Sequence, residues 1–483
     1  MSPVPPDPDP HAGAQAGAGD WLQVAAALVW LPQAALVALG IDRIAQGGGL
    51  RAVLLPALAV AALGAVRAGI DAWGVRRAFR AARAAVSRLR ADAALALAGR
   101  SPIDIRRAAS GQAASVIGEQ ADMVTAYLAR YRPAQRRAAI VPLAIVLAVA
   151  PLSWLAALIL LVAAPLIPLF MALVGMRAQA ASRAQMVEMG GMNAFLLDRL
   201  RGLATLRALG AVDATAQALR ASAESLRART MAVLRIAFLS SAVLELFSAL
   251  GVALVAVYVG FHLLGHLGFG AWGVRLSLAQ GLFVLLLAPA FFEPLRDLSA
   301  AWHDKAAGQA AMAALRQLAE RGTELPGGRA QAVEAPLAAR AGAVAVDVQG
   351  LCFHHAGAAA PVVDGFSLHV RPGERVALVG TSGVGKSTLL ALLAGLAPAQ
   401  AGRIAIDGVA LTPATAQRLR ARMAWVGQKP HVFAGTLEAN VALGRPQVDA
   451  ARAGAALRFA ALDAVAARHA GAVLGEGGTG LSG

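Results

Sequence analysis

At 483 residues, with 58% hydrophobic side chains and only 15% charged, the chain is too apolar for an ordinary soluble protein and long enough for two or three domains. Its formal charge of +16 comes almost wholly from arginine gathered between apolar runs, a membrane-topology signal that excludes nucleic acid as the partner. A single cysteine, Cys352, excludes an intramolecular disulfide.

Residues 1–20, rich in Pro, Ala, Gly and Asp and without a basic leader, are expected to form a disordered tail. Six apolar runs follow, at about 21–44, 50–74, 138–150, 153–174, 236–264 and 276–294, each a candidate membrane span within a domain covering 21–316. Pro142 and Pro151 blur the boundary between the third and fourth, and Pro165 and Pro168 are expected to kink the fourth. Arginines from Arg76 to Arg137 and from Arg177 to Arg235 load the two long connections, whereas the links at 46–49, 151–153 and 262–275 carry almost no positive charge. The positive-inside rule then places both long connections, and with them both termini, in the cytoplasm. Leu196, Leu200, Leu203 and Leu206 repeat with helical spacing, so the connections continue the membrane helices as cytoplasmic extensions.

Charge inside a span is costly and points to function. Glu245, early in the fifth span, is therefore a transport-path candidate, with an inter-helix polar contact as the plainer alternative. Arg67 and Asp71, near the end of the second span, are weaker candidates of the same kind, and His262 and His266 read as a polar outer loop.

A Gly/Pro/Ala-rich linker over 317–343 leads into a second domain, 344–483, whose short β-type runs at 344–348, 368–370, 375–379 and 403–406 indicate a soluble α/β fold. Gly380, Thr381, Ser382, Gly383, Val384, Gly385, Lys386, Ser387 and Thr388 satisfy the phosphate-binding pattern G-x-x-x-x-G-K-[ST] directly after one of those runs. The glycines let backbone N–H groups turn around phosphate oxygens at a helix N-terminus, Lys386 supplies the positive charge, and Ser387 can ligate Mg²⁺. Lysine occurs only at 305, 386 and 429, so its presence at the one position needing an ammonium is not compositional accident. ATP with Mg²⁺ is the expected ligand.

Six spans with helical cytoplasmic extensions, followed by this loop, resemble an ABC exporter half: a polytopic α-helical membrane domain followed by an incomplete α/β P-loop ABC nucleotide-binding domain. Three stretches resemble CydD, one half of the CydDC thiol-reductant ABC exporters: Phe195-Leu-Leu-Asp-Arg-Leu-Arg-Gly-Leu-Ala-Thr-Leu206, Ser240-Ser-Ala-Val-Leu-Glu-Leu-Phe247 with Val255-Ala-Val-Tyr-Val-Gly260, and Phe291-Phe-Glu-Pro-Leu-Arg-Asp-Leu-Ser-Ala-Ala-Trp-His-Asp304. The resemblance implies ATP-driven export of cysteine or glutathione across the bacterial inner membrane, a CydC-like partner, and support of cytochrome bd assembly. It also implies that Gln428 is the Q-loop residue touching Mg²⁺ and that His355 takes the adenine-stacking position.

The last residues, Leu481-Ser-Gly483, match the first letters of the family's LSGGQ signature. By the same resemblance the nucleotide-binding domain as written stops within that signature and lacks Walker B, the D-loop and the switch His. The domain as written is expected to be unstable and hydrolytically inactive, regaining activity only where the missing segment is supplied, and no catalytic residue is assigned. Two other readings stay open: a homodimeric lipid or drug exporter, and a non-transporting ATP-binding fragment of a truncated gene.

Overall fold

The computed structural model describes residues 10–108, 110–165, 170, 188, 192, 195–196, 198–200, 202–272, 275–320, 322–328, 342–358, 360–428, 431–445, 447–469 and 471–475. They fall into two compact units, Met1–Arg100 with Arg106–Gly322 and Ser101–Ile105 with Thr323–Gly483.

The first unit is helical: α1 Pro10–Leu28, α2 Trp30–Ala45, α3 Leu50–Ala98, α4 Ser110–Ser115, α5 Ala121–Ala126, α6 Arg132–Val149, α7 Trp154–Ala163, α8 Leu203–Ala208, α9 Val212–Leu263, α10 Leu278–Ala300 and α11 Trp302–Ala319. By length and composition, Gly17–Ala45, Leu50–Ala98, Ala242–Leu263 and Leu278–Ala319 can cross a membrane, and they carry the expected first, second, fifth and sixth spans. The third corresponds to α6 and the fourth begins with α7; positions 166–169 and 171–174 of the fourth lie outside the described residues. At 49 and 52 residues, α3 and α9 run about 75 Å, more than twice the ~30 Å hydrocarbon core. The helical extensions expected beyond the second span and before the fifth are thus continuous with those spans.

The expected disordered tail is corrected at residues 10–20, which form the start of α1. Small residues explain the ordering. Gly19 and Gly74 bring α1 against α3 so closely that a Cβ on Gly19 would lie 2.7 Å from the Ala78 backbone nitrogen. The main core of the unit gathers Ile145, Leu160, Val255, Leu287, Phe291 and Phe292, with the two phenylalanine rings edge to face at 4.9 Å. Gly251 on α9 lies under Phe292, where a Cβ would come within 2.4 Å of the ring.

Polar groups pair between the start of α7, the end of α9 and the segment leading into α10. The buried Ser153 hydroxyl donates to Gly270 O at 2.7 Å and lies 2.9 Å from Tyr258 Oη. Buried His262 accepts from the Leu276 backbone N–H at 3.2 Å, which gives that histidine a structural task.

The second unit contains β1 Val346–Phe353, β2 Val363–Val370, α12 Lys386–Leu393, β3 Ala401–Ile406, β4 Val409–Ala410, α13 Ala416–Arg420, α14 Leu437–Ala442, α15 Ala450–Phe459 and α16 Asp463–Arg468. The strands form one antiparallel sheet in the order β2-β1-β3-β4. Val348 is paired with Leu368 on one side and Ile404 on the other, and Val348, Leu351, Phe353 and Ile404 bury their side chains with Leu389 and Leu392 of α12. The run 375–379, expected as the strand entering the phosphate loop, belongs to no strand; Val376 and Val379 remain 50% and 87% exposed. No strand among the described residues offers it a ladder of hydrogen bonds, and an apolar run without one does not become a sheet strand.

Candidate nucleotide site

The loop at 380–388 turns on three glycines in the left-handed region: Gly380 (φ 154°), Gly383 (φ 86°) and Gly385 (φ 102°). An L side chain would be strained at each. At Gly385 space is also lacking, because a Cβ would lie 2.7 Å from Val362 Cγ1 and 3.0 Å from its carbonyl oxygen. Gly385 is the N-cap of α12, so the free N–H groups of the helix's first turn, including those of Lys386, Ser387 and Thr388, open toward the loop mouth. Leu389 and Leu392 anchor the helix in the sheet core. At its other end, Arg420 Nη1 donates to Gly395 O at 2.7 Å, placing a cation where the helix dipole is negative; burial pulls the Arg420 pKa below the ordinary guanidinium value.

Lys386 reaches back over the loop and donates from Nζ to Gly380 O and Thr381 O, 2.7 Å in each case. The ammonium is thereby held at the loop mouth beside Ser382, Val384 and Ser387, which are exposed. Left-handed glycines, an unpaired helix start, an ammonium and an exposed hydroxyl form a donor set that suits a polyphosphate with a divalent cation.

Of the two residues expected beside this loop, the structure brings one to it. The half-buried His355 has Nε2 3.3 Å from Thr388 Oγ1 and its ring edge to face with Phe353 at 5.2 Å. Gln428 is exposed, with no hydrogen bond to the loop among the described residues. Glu245, on α9, accepts two hydrogen bonds from Arg296 of α10, at 3.1 and 3.0 Å, so its carboxylate sits in an inter-helix ion pair. The Leu481-Ser-Gly483 ending lies outside the described residues.

One element escaped the sequence reading. Five residues between α3 and α4, Ser101–Ile105, belong to the nucleotide unit although the chain on either side belongs to the helical one. Ser101, fully buried, donates from Oγ to Leu396 O at 2.6 Å and from its backbone to Thr323 O at 2.9 Å. Asp104 accepts from Thr323 N at 3.0 Å, and Ile103 packs against the sheet core. The available signal was Pro102 with alternating Ile103 and Ile105, an apolar punctuation inside an otherwise arginine-rich segment.

Residues 27–286 match the ABC transporter transmembrane region family, and residues 363–483 match the ABC transporter family. The chain is 42% identical to the glutathione/L-cysteine transport system ATP-binding/permease protein CydD of Escherichia coli strain K12, over 74% of its own length and 59% of that protein. It is 38% identical to the transport ATP-binding protein AarD of Providencia stuartii, over 82% of its length and 66% of the relative. The chain therefore spans about three fifths to two thirds of these curated relatives. Its fold is similar to a bacterial Atm1-family ABC exporter solved with ATP bound, at TM-score 0.72 and 22% identity, covering 98% of this chain and 81% of that one.

Proposed function

This chain belongs to the ABC transporter family, and from that premise we propose that it is a CydD-type half-transporter exporting cysteine- or glutathione-type thiols from the cytoplasm. It works in the bacterial inner membrane with both termini cytoplasmic, beside a CydC-like half, and so supports cytochrome bd assembly. The observation that carries the reading is the phosphate loop, where Lys386 is held at the mouth by Gly380 O and Thr381 O at the start of a helix anchored in the sheet core. Identity to the E. coli glutathione/L-cysteine protein supports the cargo class.

Bound Mg–ATP supplies the phosphoanhydride whose cleavage drives export. Lys386 would hold the phosphates through its ammonium, and the N–H groups at the start of α12 would donate to them. With Mg–ATP bound, Ser387 would offer a hydroxyl ligand and Gln428 an amide oxygen to Mg²⁺. His355, steered by Thr388, presents an imidazole face for the adenine.

The test is uptake of radiolabelled cysteine and glutathione into inverted membrane vesicles carrying this chain with a CydC-like half. ATP-dependent accumulation that disappears in Lys386→Ala is expected. Accumulation of neither thiol, with ATP-dependent movement of a lipid or hydrophobic drug instead, would sink the cargo assignment.

A further inference from the structure

Away from the nucleotide unit, the helical unit encloses an open cavity of about 340 Å³ between α2, α3, α6 and α10. That is within the size range of small-molecule sites. Its wall is mostly apolar, yet it contains two guanidinium groups, Arg67 and Arg137, and two carboxylates, Glu293 and Asp297. Among the described residues these four charges form one ion pair with each other. Arg137 Nη2 and Asp297 Oδ2 are 3.1 Å apart, but Arg137 Nε is buried without a hydrogen-bond partner. Arg67 lies over the Trp30 ring at 5.3 Å, and neither it nor Glu293 has an ion pair among the described residues.

The helix carrying the acids is adapted to the cavity. Glu293 and Asp297 are four residues apart on α10 and share one face. Pro289 and Pro294 within α10 have no N–H to give to the carbonyls of Leu285 and Ala290, four residues earlier. Both of those residues line the cavity. The Trp30 indole donates to the neighbouring Leu286 O at 3.4 Å, which holds the platform under Arg67.

Arg67 is half-buried and Glu293 exposed; a charge within an apolar span is expensive unless a ligand, a partner group or water meets it. We propose that this cavity binds a small zwitterion of the amino-acid or short-peptide class, with Arg67 receiving the carboxylate and Glu293 the ammonium. The Arg137–Asp297 pair closes the end of the site. A single fixed charge would have selected a simple anion or cation; opposite charges on facing helices select a molecule carrying both. The proposal rests on the thiol-export reading and adds that the cargo is recognised by its amino-acid end, leaving the thiol unread.

The experiment uses the same inverted vesicles, with cysteine, N-acetylcysteine and cysteine methyl ester compared in wild type, Arg67→Gln and Glu293→Gln. Each variant should weaken apparent cysteine affinity by about tenfold or more, the loss expected for one hydrogen bond to a charged group. Arg67→Gln should erase the preference for cysteine over its methyl ester. Glu293→Gln should erase the preference over N-acetylcysteine. Limited proteolysis of the same vesicles across a urea series, measured alongside, reports folding of each variant. Wild-type vesicles that transport no thiol would defeat the parent reading. Thiol transport with unchanged discrimination in both variants would overturn the cavity assignment alone, as would phosphatidylethanolamine occupying the cavity and cysteine failing to displace it.

Discussion

Apolar stretches of the nucleotide unit with similar composition have opposite surroundings. In β1, Val348, Leu351 and Phe353 are buried beneath α12. In the runs entering the phosphate loop and preceding Gln428, Val379 is 87% exposed and Val426 96%. The difference is one of backbone pairing. β1 meets β2 and β3 on its two edges, antiparallel to both, whereas neither exposed run is paired among the described residues. Apolar content states which residues gain from burial, but a strand is buried only where a neighbouring ladder and a covering helix reach it.

The contrast is most directly broken by truncating one side chain from each stretch. Leu351→Ala should destabilise the nucleotide unit by about 2–5 kcal/mol, since it removes a fully buried side chain and leaves a cavity. Val379→Ala should change it by less than about 0.5 kcal/mol. Limited proteolysis of the full chain in membranes across a urea series reads both. Equal losses would mean that 375–379 is covered in the membrane.

Lys386→Ala sharpens the comparison by separating ligand chemistry from folding. Among the described residues the side chain is held by two carbonyls at the loop mouth, so its loss should leave the proteolysis midpoint in place. Nucleotide affinity, followed by photolabelling with an azido-ATP, should fall about 100-fold, as expected for losing charge-assisted bonds to phosphate. A shifted midpoint with retained labelling would reverse the assignment of Lys386 from ligand to scaffold.

A smaller effect is expected at the inserted segment. Ser101→Ala removes the hydroxyl that satisfies Leu396 O, and a buried acceptor left unpaired costs about 1–3 kcal/mol. Ser101→Thr keeps the hydroxyl and should recover part of that loss. If alanine and wild type have the same urea midpoint, the 2.6 Å bond contributes no net stability.

Legibility in the sequence followed the range of the interactions. The phosphate loop was readable because its chemistry is local: Gly380, Gly383, Gly385 and Lys386 form their site within seven residues. Long spans were readable from composition, as α3 and α9 demonstrate. Three features needed the third dimension. Residues 10–20 looked disordered because small residues gain helical order only from a packing partner, here α3. Ser101–Ile105 looked like one more piece of a charged connection, because its partners Thr323 and Leu396 are more than two hundred residues away. Glu293 went unnoticed for a similar reason: the guanidinium groups that share its cavity are on other helices, and Arg67 attracted notice only as an isolated charge.

Glu245 puts the comparison of covered and uncovered groups to its finest test. Its carboxylate is bonded twice to Arg296, yet the side chains are 68% and 38% exposed. An exposed pair of this kind contributes only about 0.2–1 kcal/mol, because solvent screens it and two long side chains must be ordered. Glu245→Gln should therefore move the urea midpoint of the helical unit very little, and a double-mutant cycle with Arg296→Gln should give a coupling below about 1 kcal/mol. Transport then decides the role. If cysteine uptake falls severalfold while stability holds, the carboxylate acts on the cargo path and Arg296 merely positions it. If uptake and stability both hold, the pair is an inter-helix contact, and the path charges are those of Arg67 and Glu293.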